Sequence, residues 1–328
     1  MRKRIAMLTI LTIVLLFGAC GTKKETADEK LKVGITQWTG CYAWYALDKL
    51  GIYETHDVDV EVVMFPNFSD GLNALASGDI DTYLTSTASA LNTFANGNDI
   101  QIILVEDYSF GADAAVANSE IKTVEDLRGK TIAAELGTGN YVLMQEYLAQ
   151  HGLYEKDYNY VNMTAGDAGN AFISGHVDCA MLWDPYVTEA VNAGGHILFT
   201  SADEEGIISL TIAANKTAIT DKKEALTNLM DAWFEGVDRI NSGDKEFISA
   251  MADSAGITYE EFVPMVNTVK FLDRNANIQA FGPETDTMGY TNLRNCTRVH
   301  GEFLVDLDYI DAIPDNFDEL FNDSFVNN

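Results

Sequence analysis

Bases are scarce in this 328-residue chain: 21 Lys and Arg stand against 50 Asp and Glu, a formal charge of −29. A surface this acidic repels phosphate backbones and anionic headgroups, which argues against nucleic-acid binding and against membrane adhesion by charge. Proline is also rare, with five residues, and no low-complexity stretch follows residue 30, so the chain reads as globular. Only four cysteines are present, and beyond Cys20 the remaining Cys41, Cys179 and Cys296 are odd in number and lack metal-like spacing. They read as buried free thiols, not a disulfide framework. The five histidines (His56, His151, His176, His196 and His300) are scattered without ligand spacing. No metalloprotease, nucleophile-elbow, phosphate-loop or EF-hand pattern occurs, so no metal, no cofactor and no catalysis are expected.

Long apolar runs are missing as well, apart from one at the start. Arg2, Lys3 and Arg4 precede an apolar segment, Ile5 to Phe17, that closes on Phe17-Gly18-Ala19-Cys20. Thirteen residues fall short of the ~20 needed for a comfortable membrane span. A basic start, a short apolar core and a small-residue end describe an export signal. The small-small-Cys ending resembles the lipobox of bacterial lipoproteins, which implies cleavage after residue 19 and lipidation of Cys20. Loss of three bases and no acids moves the formal charge to −32. Residues 20–30 then read as a flexible tether. The chain is expected at the outer face of the cytoplasmic membrane, held there by lipid alone.

The remainder is long enough for two lobes. Short apolar runs alternate with helical patterns, which predicts an α/β fold with mostly parallel sheets flanked by helices. Strands are predicted at Leu31 to Ile35, Val58 to Met64, Ile80 to Leu84, Ile100 to Val105, Thr131 to Ala134, Tyr158 to Val161 and Val177 to Leu182. The string ALASGDIDTYLTS (Ala74 to Ser86) is echoed by AFISGHVDCAMLW (Ala171 to Trp183). Each reads as a helix ending at Ser-Gly, a turn, an Asp and a buried strand, so the lobes should share a topology. Residues 31–115 with 215–328 form the first predicted lobe, and 116–214 the second. Ligands of open α/β sheets sit outside the carboxyl ends of the strands. That places Thr85 to Thr87 and Trp183 to Pro185 on one cleft between the lobes.

Four segments together resemble the periplasmic-binding proteins of the nitrate/sulfonate/taurine group of ABC importers. They are VGITQWTGCYAWYAL with GIYE (Val33 to Glu54), NALASGDIDTYLTSTASAL (Asn73 to Leu91), TVEDLRGKTIAAELGT (Thr123 to Thr138) and SGHVDCAMLWDPYVTEAV (Ser174 to Val191). The resemblance implies a two-lobed periplasmic-binding-protein fold (type II), a small-molecule ligand in the cleft, an ABC permease with its ATPase as partners, and a monomer. It leaves the cargo open among nitrate, sulfonates, taurine, pyrimidines and small nitrogen cations. Two rival classes share the fold or its use: a pyrimidine-forming enzyme, which is cytosolic, and a ligand-sensing receptor.

The loops expected around the cleft, 49 residues between Thr36 and Leu210, carry nine acids and no Lys or Arg. A carboxylate desolvated by lobe closure costs several kcal/mol unless a cation or donors meet it, so the missing bases favour a cationic cargo. Asp107 and Asp113 bracket the turn Tyr108 to Ala112, and Glu135 ends a strand at the start of the second lobe. Trp38 and Trp183 are candidate apolar or cation–π walls. Asp184 precedes a proline, a common turn start, and joins the candidates with less weight. Thr87 would offer a hydroxyl and a helix N-terminal amide to an anionic group, which keeps sulfonate and nitrate open. Trp44 and Trp233 lie in helical patterns and read as core. The string EDYSFGADAAVAN (Glu106 to Asn118) looks most like group members that take guanidinium-like or amine-bearing cargo. The expected cargo is therefore a small cation such as guanidinium, with taurine, alkanesulfonates or nitrate as the alternative.

Overall fold

A computed structural model describes residues 30–66, 68–284 and 289–327. The export signal, Cys20 and all but the last residue of the tether lie outside the described residues. Eleven strands are described: β1 (Leu31–Ile35), β2 (Val60–Met64), β3 (Thr82–Ser86), β4 (Ile100–Ser109), β5 (Asp113–Ala117), β6 (Thr131–Ala134), β7 (Asn159–Asn162), β8 (Cys179–Trp183), β9 (His196–Thr200), β10 (Ser209–Asn215) and β11 (Val269–Phe271). They form two sheets, of order β11-β4-β10-β3-β1-β2 and β7-β6-β8-β5-β9.

The echo in the sequence is an echo in space. β2-β1-β3 and β7-β6-β8 are matching parallel triplets. In each, the helix before the third strand ends at a glycine of positive φ, +82° at Gly78 and +73° at Gly175. The Asp that follows does the same work twice. Asp81 Oδ2 accepts the Lys32 amide of the first triplet at 2.9 Å. Asp178 Oδ2 accepts the Thr131 amide of the second at 2.9 Å.

The sheets are mixed, not mostly parallel. β10 runs antiparallel to both β3 and β4, and β5 antiparallel to both β8 and β9. The cause is the connection between lobes. β4 passes almost directly into β5 through residues 110–112, with no helix to reverse the chain, and β9 returns to β10 through 201–208. Sheet membership therefore changes earlier than the expected boundaries at 115/116 and 214/215, which fall inside β5 and at the end of β10. Ser109 and Ser201 join the two crossings, their hydroxyls 2.8 Å apart, and Ser201 Oγ also accepts the amide of Gly111, whose φ is +108°.

Period-two alternation builds the second lobe's core on both faces of its sheet. Ala115, Ala117, Ile132, Cys179 and Met181 pack on one face, and Ala114, Val116, Ala133, Ala180 and Leu182 on the other. The first lobe packs its sheet against Lys223–Asn241, where Trp233 stacks on Trp44 with ring centroids 4.2 Å apart. The helix Leu293–Asp306 bridges the lobes. It packs on the helix Thr87–Ala95 of the first lobe and sets Phe303 edge-on to Tyr141 of the second. All three described cysteines are buried free thiols.

Candidate ligand site between the lobes

β4 does not end at Val105 as expected, because β10 and β11 pair with it on both edges and carry the ladder to Ser109. Its carboxylates therefore sit on a strand, not on a loop after it. Neighbouring strand residues normally point to opposite faces. Here the pairing with β10 steps from Leu210–Asp107 to Thr211–Val105, leaving Glu106 without an opposite residue. Such a bulge re-aims side chains, and both carboxylates reach the same glycine. A Cβ on Gly40 would lie 2.1 Å from Asp107 Oδ2 and 2.9 Å from Glu106 Oε1.

Two indole N–H groups serve this pair. Trp38 Nε1 donates to both Asp107 oxygens, at 3.1 and 2.9 Å. Trp44 Nε1 donates to Glu106 Oε2 at 2.9 Å. Asp113, the first residue of β5, lies opposite Trp183, the last of β8. The Ser109 hydroxyl accepts the Asp113 amide at 3.2 Å and lies 2.8 Å from Ser201 Oγ, and the Asn140 side chain is near enough to act on the Asp113 carboxylate. Neither polar atom of Asn140 completes a hydrogen bond, and both are buried. Glu106 Oε1 and Asp113 Oδ2 are likewise buried and unpartnered.

Burial and like charge act together on these acids. Glu106 is pushed well above the carboxylate range, first by desolvation and then by Asp107. Asp107 is raised by desolvation and by Asp113, against the easing hydrogen bond from Trp38. Asp113 is raised to about 6 by desolvation, with Ser109 and Asn140 opposing and Asp184 adding to the rise. None of the charges that act on the three is positive. Cys41, beside Glu106 and Asp107, is held well above its ordinary value, chiefly by burial. An acceptor-rich, buried group of this kind binds proton or cation in preference to an anion.

The structure brings Trp38, Asp107, Asp113 and Trp183 to this one region. Asp184 is near enough to act on Asp113, yet its Oδ1 accepts the amide and hydroxyl of Thr188 at 3.1 and 2.7 Å, closing the first turn of Tyr186–Asn192. Glu135 turns to the start of Ala165–Ile173, accepting the Ala165 amide at 3.3 Å. Thr87 is fully buried, its Oγ1 2.7 Å from His300 Nδ1. His300 is itself buried, which lowers its pKa to about 4, so this pair is neutral at neutral pH. Glu106, Gly40 and Asn140 complete the group and were not singled out in the sequence. Glu106 adjoins Asp107, but strand alternation argues against counting both, and nothing in the residue string announces the bulge.

The NMT1/THI5-like family model matches residues 38–247, more than half of the chain. The chain belongs to the NMT1/THI5-like family. A curated relative from Escherichia coli (strain K12), named as an aliphatic sulfonates-binding protein, is 30% identical over 240 residues, 70% of this chain and 74% of its own. The crystal structure of the periplasmic aliphatic sulphonate binding protein SsuA from Escherichia coli superposes with a TM-score of 0.73 at 21% identity, covering 90% of this chain and 93% of that one. The alkanesulfonate-binding protein SsuA from Xanthomonas axonopodis pv. citri, bound to MOPS, gives 0.66 at 17% identity over 87% and 94%. The expected family and the two-lobed α/β binding-protein fold are both borne out. Among the described residues of this NMT1/THI5-like chain no helix is long and apolar enough to cross a membrane.

Proposed function

We propose that this chain is the extracytoplasmic solute-binding component of an ABC importer, without catalytic activity, and that its cleft holds a small compound bearing a cationic nitrogen. The lobes close on the ligand, and the closed form is the one a permease and its ATPase recognise, since only a ligand with different affinities for two states shifts the balance between them. Lipid on Cys20 would keep the monomeric captor close to that permease. Carboxylates of both lobes, Glu106 and Asp107 on β4 and Asp113 on β5, carry the cargo reading: they are buried together with no basic partner, and Glu106 and Asp113 each keep an unpartnered oxygen.

A second reading has its own support. The names of the relatives favour an aliphatic sulfonate, and they support that cargo better than the guanidinium expected from the sequence. An aminosulfonate such as taurine satisfies both, its ammonium meeting the carboxylates and its sulfonate a helix N-terminus. Thermal unfolding of the purified protein with guanidinium, taurine, ethanesulfonate and nitrate separates the readings, because a ligand of the native state raises its stability by mass action. Stabilisation by guanidinium or taurine is the expected result. A shift with ethanesulfonate or nitrate and none with either nitrogen cation overturns the cationic reading and leaves the sulfonate one.

A further inference from the structure

We infer that the carboxylate group selects its cargo by N–H groups, accepting protonated amines, amidinium and guanidinium ions and rejecting quaternary ammonium compounds of similar size. The inference rests on the cationic reading of the same cleft and goes on to say which cations enter.

The balance of donors and acceptors is the first reason. The protein's own donors are already engaged: Trp38 with Asp107, Trp44 with Glu106, and the Ser109 hydroxyl with that of Ser201. Once the carboxyls ionise, acceptors are left over, namely Glu106 Oε1, Asp113 Oδ2 and Asn140 Oδ1, each buried without a partner, against a single leftover donor, Asn140 Nδ2. A buried acceptor that meets no donor keeps its desolvation cost, so a cation must bring N–H groups to repay more than charge. A quaternary ammonium has none to bring.

The aromatic arrangement is the second reason. Quaternary ammonium ions are recognised over the faces of aromatic rings. Trp44, fully buried in the first lobe's core, turns its N–H edge to Glu106 and gives a face to Trp233, 4.2 Å away, so that face is taken. Trp38 turns its N–H edge to Asp107 and so meets the carboxylates as a donor.

Sites built to hydrogen-bond a substrate N–H reject the analogue that lacks it by as much as ~10⁴. Calorimetric titration of the purified protein at pH 8 and constant ionic strength, with guanidinium, methylguanidinium, ethylammonium, tetramethylammonium and choline as chlorides, gives the measure. The best N–H cation is expected to bind at least ~100-fold tighter than tetramethylammonium or choline. Binding of either quaternary ion within about tenfold of the best N–H cation overturns the inference while leaving cationic cargo intact. Binding of ethanesulfonate with no cation bound overturns both. Glu106→Gln, checked for cooperative unfolding first, is expected to narrow the ratio between N–H and quaternary cations. An unchanged ratio removes Glu106 from the selection.

Discussion

Asp113→Asn is expected to stabilise the ligand-free protein at pH 8 and to do little at pH 4. The folded state holds this carboxyl at about 6, above its ordinary value of 3.8. A pKa raised by folding means that the native state binds the proton more tightly than the unfolded chain does. Its favourable effect is then complete below the unfolded pKa and is lost as pH rises through the folded one. Two units correspond to ~3 kcal/mol at full ionisation. Asparagine removes that charge, but it sets a second buried amide beside the unpartnered Asn140, a loss of ~1 kcal/mol. The net gain at pH 8 is ~2 kcal/mol, roughly 4 °C in melting temperature for a chain of this size. Melting of exhaustively dialysed wild type and variant from pH 4 to pH 9 supplies the test. The difference between the two curves isolates Asp113 from the many surface acids that titrate alongside it. A variant less stable than wild type at pH 8, or a difference that does not change between pH 5 and pH 8, refutes the account of Asp113 as a buried charge without a partner. The same substitution should weaken cation binding at pH 8 by about tenfold or more, because a native state destabilised by its own carboxylates is what a cation relieves.

Cation affinity of the wild type should rise with pH between about 5 and 8, since carboxyls whose pKa values are raised must release protons before they meet the ligand; a flat pH profile in calorimetry contradicts this. Trp38→Phe removes the donor that eases Asp107, so affinity at pH 7 should fall by about tenfold and recover partly at higher pH. Loss of affinity that is equal at pH 7 and pH 9 would instead point to lost packing. Gly40→Ala should reduce binding at least ~tenfold while the protein still unfolds cooperatively, because the new Cβ displaces Asp107 and Glu106. Asn277→Ala should cost ~3 kcal/mol in urea unfolding, as it strips partners from the buried amide and carbonyl of Val105, bonded at 2.8 and 3.0 Å, where β4 begins to bulge.

Most of the fold was legible because it depends on periodicity and punctuation. Short apolar runs located β1 and β6 to the residue and β7 to within one, and the Ser-Gly-x-x-Asp echo gave the matched lobes, for Gly78 and Gly175 take a backbone only glycine accepts without strain. The strands that were not anticipated are those whose identity comes from a distant partner. β5 opens on Asp113 and continues as Ala-Ala-Val-Ala, small residues covered on both faces, so it shows no alternation and reads as a linker. β11 is three residues long and exists because β4 offers an edge. The candidate site divides in the same way. Trp38 follows the end of β1 as expected, whereas Asp107 lies within β4, Asp113 opens β5 and Trp183 closes β8, so the expected loops are strand in all three cases. Thr87 and Glu135 follow strand ends too, yet one pairs with His300 and the other with the start of a helix, contacts set by packing far along the chain.

Family and cargo are written at different levels of the structure. The matched triplets and crossing strands place this chain beside sulfonate binders, and at 21% identity a superposition carries the fold alone. On the proposed cationic reading, cargo turns on one extra residue in β4. Were the register regular, Glu106 would face away from Asp107 and the cleft would hold one buried acid less. With the bulge, both carboxylates crowd Gly40, and Asp113 adds a third from the crossing strand. A bare sulfonate would have to approach these groups against both their charge and their lack of donors, unless each were first protonated. The fold allows many cargoes; on the reading proposed above, the bulge favours those that bring positive charge and N–H groups of their own.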